Sequence, residues 1–123
     1  MPKMIGYKGF DKDFKCRDMQ YEVGKTFTAE SAVICEEGLH FCEMPLDVFT
    51  YYPPANSRYA VVSTDAEVVG DNDDSKKCTT SLSIDREITI DDLIQAHVDF
   101  VQNHVAADIL ATKLKILFKK KLM

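Results

Sequence analysis

The sequence has no run of about 18 consecutive apolar residues, so no membrane-spanning helix is expected. It opens Met1-Pro2-Lys3-Met4-Ile5, without the apolar stretch of a secretory signal, and its four cysteines fall at irregular spacing. Together these features predict a cytoplasmic protein with reduced thiols rather than a disulfide framework. There is no Gly-x-Ser-x-Gly, no phosphate-binding loop, no dinucleotide glycine fingerprint and no His-Glu-x-x-His. The sequence signatures of common hydrolases, nucleotide-binding enzymes and zinc proteases are therefore missing. Ser31 and Ser63 have no context that marks a nucleophile. Composition and spacing alone do not say what the protein does.

What is present is one domain's worth of chain, residues 1–123, with ordinary apolar (46%) and charged (28%) content and a real core to bury. The formal charge of −5 hides an asymmetry. Five of the 15 basic residues (Lys113, Lys115, Lys119, Lys120 and Lys121) lie in 113–121, so the rest of the chain stands at −10 and this tail at +5. A body this acidic argues against direct binding to nucleic acid, whose phosphates it would repel. It suits docking on a basic surface of another protein. The acidic clusters Asp71-Asp73-Asp74 and Asp85-Glu87-Asp91-Asp92 are the candidate contact points for such a partner.

The pattern predicts an α+β fold. A mainly antiparallel sheet of five to six strands fills a body over 4–88, with a short helix at 45–52, and a helical segment covers 89–121. Met4 to Phe10 reads as a strand, with Gly6 and Gly9 open to close backbone approach. Met19 to Val23 alternates as a half-exposed strand, and Leu39 to Cys42 is a short apolar one. Pro45 opens the short helix and Pro53-Pro54 end it. Arg58 to Ser63 is a β-branched strand, Ala66 to Val69 a second, and Cys78 to Ile84 another. Gly70 to Asp74 is a turn. Thr89 and Asp92 read as a capping pair for a long helix from Ile90. That helix has no Gly or Pro through residue 120, and it carries Ile90, Ile94, Val101 and Val105 on one face. The apolar crowding of 109–118 predicts that its far end is covered, by the protein's own sheet, by a partner, or by a second copy in a homodimer.

Cys35, His40 and Cys42 are zinc-ligand types, with Cys16 or Cys78 available as a fourth. Their Cys-x4-His-x-Cys spacing matches no common zinc motif, and buried cysteines acting as small hydrophobes are the preferred reading, with no metal. His97 and His104 are seven residues apart, too far along a helix to share an ion, and read as residues hydrogen-bonded once each to a neighbouring element.

Two resemblances bear on function. Gly6-Tyr7-Lys8-Gly9-Phe10, Tyr21-Glu22-Val23-Gly24-Lys25, Cys35 to Cys42, Pro45-Leu46-Asp47-Val48 and Tyr51-Tyr52-Pro53 resemble a small uncharacterised domain of phages and prophages over roughly 5–95. That resemblance implies an accessory protein. The expectation that follows is a stoichiometric inhibitor of a host protein, such as a nucleic-acid-binding defence factor of the CRISPR type. Separately, Gly38-Leu39-His40-Phe41-Cys42-Glu43-Met44, running into a helix with Tyr51, is similar to the Gly-Ile-Tyr-Phe-Ala-Asp-Met segment of poly(ADP-ribose) polymerase-type ADP-ribosyltransferases. This second resemblance implies an NAD or ADP-ribose pocket at Lys8, Gly9, His40 and Tyr51. His40 stands where that family has a tyrosine, and Lys8 where it has His or Arg. Glu87 is the nearest counterpart of its catalytic glutamate. On that reading the cofactor would be NAD; on the binder reading there is none.

Overall fold

The structure is a computed structural model that describes residues 3–34, 37–70 and 75–122. Its elements, in order, are β1 (Met4–Asp11), β2 (Lys15–Cys16), β3 (Met19–Gln20), β4 (Thr26–Thr28) and β5 (Leu39–Cys42). A 3-10 turn (Pro45–Asp47) and the one-turn helix α1 (Val48–Tyr51) follow, then β6 (Ser57–Thr64), β7 (Val68–Gly70), β8 (Lys76–Thr79), β9 (Ser81–Ile88) and α2 (Ile90–Leu122). The fold is α+β, with a seven-stranded antiparallel sheet in the order β4-β9-β6-β1-β5-β8-β7, a separate β2–β3 pair and a long C-terminal helix.

β1 and β6 form the longest ladder, in register from Met4 opposite Thr64 to Asp11 opposite Ser57. β6 continues to β9, and β5 pairs with β8 and touches β1 through Tyr7 and Cys42. β8 and β9 lie three strands apart in the sheet order, yet only Thr80 separates them in sequence. One residue spans about 3.5 Å, so the two strands are halves of one bent ribbon. The pairings run from β9 through β6, β1 and β5 to β8, and the chain itself, through Thr80, joins the two ends into a circuit.

Inside the circuit sits the main core: Phe10, Phe14, Tyr21, Leu39, Phe41, Ala60, Val62, Leu82 and Ile84. Phe10 stacks on Phe14 (centroids 4.3 Å apart) and meets Tyr21 edge-on at 5.3 Å. Across the sheet, Cys42, Val48, Tyr59, Ile88 and Leu93 form a second cluster, where α1 and the first turn of α2 dock. Thr89 caps α2: its hydroxyl accepts the Asp92 N–H at 3.1 Å. Leu93 is the one buried side chain among those described in α2. His97 is the last tether, with Nδ1 accepting the Leu46 N–H at 3.2 Å. Beyond it the helix runs unbroken and, apart from Phe100, which stacks on His104 of the same helix, its described side chains are exposed, so its own sheet does not cover it.

Three expectations need correcting. Met19 to Val23 is not a strand of the sheet; only Met19–Gln20 pairs, with β2. Phe14, Arg17 and Asp18 all take positive φ there, folding 14–18 back on itself. Cys78 to Ile84 is two strands rather than one, because the ribbon bends at Thr80. The sheet has seven strands because three-residue edges at Thr26–Thr28 and Val68–Gly70 are too short for alternation to register.

The bend is held by a buried hydroxyl. Thr79 Oγ1 donates to the Glu67 carbonyl at 3.0 Å and lies 3.3 Å from Thr64 Oγ1. Thr79→Val keeps the shape and removes the hydroxyl, so unfolding in urea should show a loss of about 1–3 kcal/mol. Thr79→Ser should retain most of the stability. Equal stability of the wild type and the valine variant would show that the hydroxyl does not hold the bend.

Candidate functional site

Strand β5 has all four residues buried, and successive side chains alternate between its faces: Leu39 and Phe41 enter the main core. His40 and Cys42 take the other side, beside β1. Gly38 precedes them with φ of 103°, a left-handed turn that a side chain would strain. Gly9 on β1 is bare for a different reason: a Cβ there would lie 2.7 Å from Cβ of Tyr52. The absence of a side chain lets Tyr52 close one wall.

These elements surround a cavity of about 70 Å³, lined by residues that include Lys8, Gly9, His40, Tyr51, Arg17 and Lys76. The four positions marked by the transferase resemblance thus lie together on one small cavity. Sequence reasoning missed Arg17 and Lys76. Arg17 arrives through the left-handed turn after β2 and Lys76 through the pairing of β8 with β5, neither of which leaves a local signal. No carboxylate lines this cavity among the described residues, although acids outnumber bases 20 to 15 in the chain.

Lys8 is buried, and its Nζ donates to the His40 carbonyl at 2.5 Å. Its ammonium also lies 5.2 Å from the Tyr21 ring centre. Burial pushes the amine below its ordinary value, with the Cys16 thiol acting in the opposite direction. The Lys76 ammonium sits 4.3 Å from the Tyr51 ring centre, within cation–π range. Tyr52 donates its hydroxyl to Cys16 Sγ at 3.1 Å. His40 is pushed down to about 4, first by burial and then by the positive field of Arg17, Lys76 and Lys8. At neutral pH it is an uncharged imidazole in a cationic, aromatic-walled recess. Such a recess can hold a small anionic or planar group.

Other expected positions lie elsewhere. Glu87 is on β9, gripped by Arg58 through two hydrogen bonds of 2.6 and 2.9 Å, and it does not line the cavity. Its carboxylate is lowered by that guanidinium. Asp85 is the extra residue of the bulge at Val61/Val62, and Asp91 and Asp92 occupy the first turn of α2. All four acids of this cluster are exposed around the β9–α2 junction. Asp71, Asp73 and Asp74 fall outside the described residues, as does Cys35. Among the described residues no three metal-ligating side chains come together. Cys42 packs with Val48 and Tyr59, and buried Cys78 donates to the Glu37 carbonyl at 3.0 Å. His97 bonds a neighbouring element as expected, whereas His104 Nδ1 pairs within its own helix, 2.8 Å from the Phe100 carbonyl. No helix among the described residues is long and apolar enough to cross a membrane.

Residues 4–96 match DUF7666, a domain of unknown function, and the chain belongs to that family. No curated protein and no solved structure matches it. Most of α2 lies beyond the matched region.

The depressed His40 implies a pH dependence. The imidazole is neutral when folded and takes a proton near 6.5 when unfolded, so the unfolded chain binds more protons between these values. The stability His40 contributes is full above about pH 6.5 and is lost as pH falls towards about 4. Urea melts across this window should show a shallower decline for His40→Gln than for the wild type. Parallel curves would show that His40 does not carry the effect.

Proposed function

We propose that this member of the family acts by occupying another protein stoichiometrically rather than by turning over a substrate. The observation that carries the reading is α2. It stands clear of the body with Ile94, Val98, Val101, Val105, Ile109 and Ile116 between 40 and 52% exposed. A contiguous apolar face of this length marks a protein contact. The acidic body supplies the second support, since the clusters at Asp85, Glu87, Asp91 and Asp92 suit a basic partner surface. In its narrower form the protein is a phage or prophage accessory factor that blocks a host defence protein, competing for a basic nucleic-acid channel. That form rests on the sequence resemblance and the charge.

A second reading has its own observation: Lys8, Gly9, His40 and Tyr51 share one cationic recess. The recess would take one end of ADP-ribose or NAD. Its volume of about 70 Å³ is well below the roughly 300–1,000 Å³ of pockets that enclose whole ligands. With no carboxylate in the lining among the described residues, it supports ligand binding better than transfer.

Two measurements separate the readings. Capture on the immobilised chain from bacterial lysate, followed by titration of the recovered protein, should give one-to-one binding that weakens with salt and with Asp91→Asn/Asp92→Asn. Recovery of no partner, together with NAD-dependent labelling of any protein, would overturn the binder reading. Calorimetry with ADP-ribose and NAD tests the recess. If it binds, His40→Ala or Tyr51→Ala should weaken affinity about tenfold or more, the equivalent of about 1.4 kcal/mol. Absence of heat with both ligands removes the second reading.

A further inference from the structure

The exposed face of α2 has a regular order. Ile94, Val98, Val101, Val105, Ile109, Thr112 and Ile116 follow one another at steps of four, three, four, four, three and four. At about 100° per residue these seven positions stay within an arc of about 80° along about 33 Å of helix. Two successive four-three-four triplets make an eleven-residue repeat, the period of a straight or gently right-handed helix pair. All but Thr112 are Val or Ile, and all are exposed in the single chain.

The series of steps reads the same in both directions, with Val105 at its centre. A two-fold axis beside Val105 would set Ile94 opposite Ile116, Val98 opposite Thr112 and Val101 opposite Ile109, with Val105 facing its own copy. Self-complementarity of this kind is what a two-fold interface requires. Charge selects the same direction. The acids Asp91, Asp92 and Asp99 lie towards the start of the helix and the five lysines at its end. Antiparallel pairing sets Lys119 of one copy against Asp91 of the other and brings Lys113 beside Asp99. Parallel pairing would set the lysine clusters side by side. The body leaves the near end accessible, since Ile90, Asp91 and Ile94 are exposed where α2 leaves the sheet.

We propose that the occupant of this face is a second copy of the chain, paired antiparallel along α2 about Val105. The proposal rests on the reading that the α2 face is a protein contact, and it names the partner at that face. The dimer engages Asp91 and leaves Asp85, Glu87 and both recesses outside the seam, so contact with a different protein falls to those parts of the body.

Light scattering of the full chain should give twice the mass of one protomer. Val105→Asp places two carboxylates face to face and should halve that mass. Leu114→Asp lies on the opposite side of the helix and should leave it unchanged. Circular dichroism at matched concentration checks that both variants keep the folded body. Register is read by oxidative cross-linking against the wild type as background. Val105→Cys should link to itself, Val98→Cys should not, and mixed Val98→Cys and Thr112→Cys chains should link to each other. A monomeric wild type, or self-linking of Val98→Cys as efficient as that of Val105→Cys, overturns the proposal. A monomer that still captures a partner from lysate refutes only the pairing. A dimer with no external partner upholds the pairing and counts against the host-factor reading.

Discussion

The fold depends on one continuous ribbon turning a corner. β8 and β9 are sequential, yet each completes a different side of the same sheet, and the turn between them is a single residue. The Thr79 hydroxyl sits inside that corner, where water cannot substitute for a lost partner, and ties it to the carbonyl of Glu67, the residue before β7. If the ribbon ran straight, β5 would lose its outer neighbour and β6 would lose β9. The main core would then open along two edges. Closing the circuit brings β5 against β1, although they share only the Tyr7–Cys42 position.

That forced neighbourhood creates the recess. Lys8 points beneath β5 and satisfies its ammonium on the His40 carbonyl, the backbone of the strand that forms the opposite wall. Burying an ammonium is costly unless it is hydrogen-bonded, so this contact couples β1 and β5 in addition to their short ladder. Burial, aided by the positive field of Arg17, Lys76 and Lys8, keeps the His40 ring neutral. The recess is therefore positively charged without depending on histidine protonation.

Much of this was legible in the sequence, where the signal was local. The β-branched run at 58–63, Pro45 and Thr89 each mark an element through their own backbone preferences. The strand Leu39–Cys42 showed as a short apolar run, whereas the shared neighbourhood of Lys8, Gly9, His40 and Tyr51 came from matching a short pattern; all four line the cavity. What escaped has no local signature. Phe14 and Arg17 are not residues whose type announces a left-handed turn, although Asp18 is, and the Phe14 ring stacks on Phe10 across this turn. The bend at Thr80 follows from where β5 and β6 lie, not from the residue itself. Apolar crowding near the end of α2 was visible in the sequence. The mirror order of its exposed face became meaningful only once the sheet was seen not to cover it.

The last tether between α2 and the body, at His97, lies beside the end of the region shared with the family at residue 96. Side chains between there and Leu117 contribute nothing to the core, and a substitution among them changes no buried contact of the sheet. The body therefore places almost no restriction on this segment's sequence. On the proposed pairing, the regularity of its exposed face is maintained by the second copy rather than by the body. A lineage could exchange or lengthen the arm, changing the company the protein keeps, without refolding the domain that carries it.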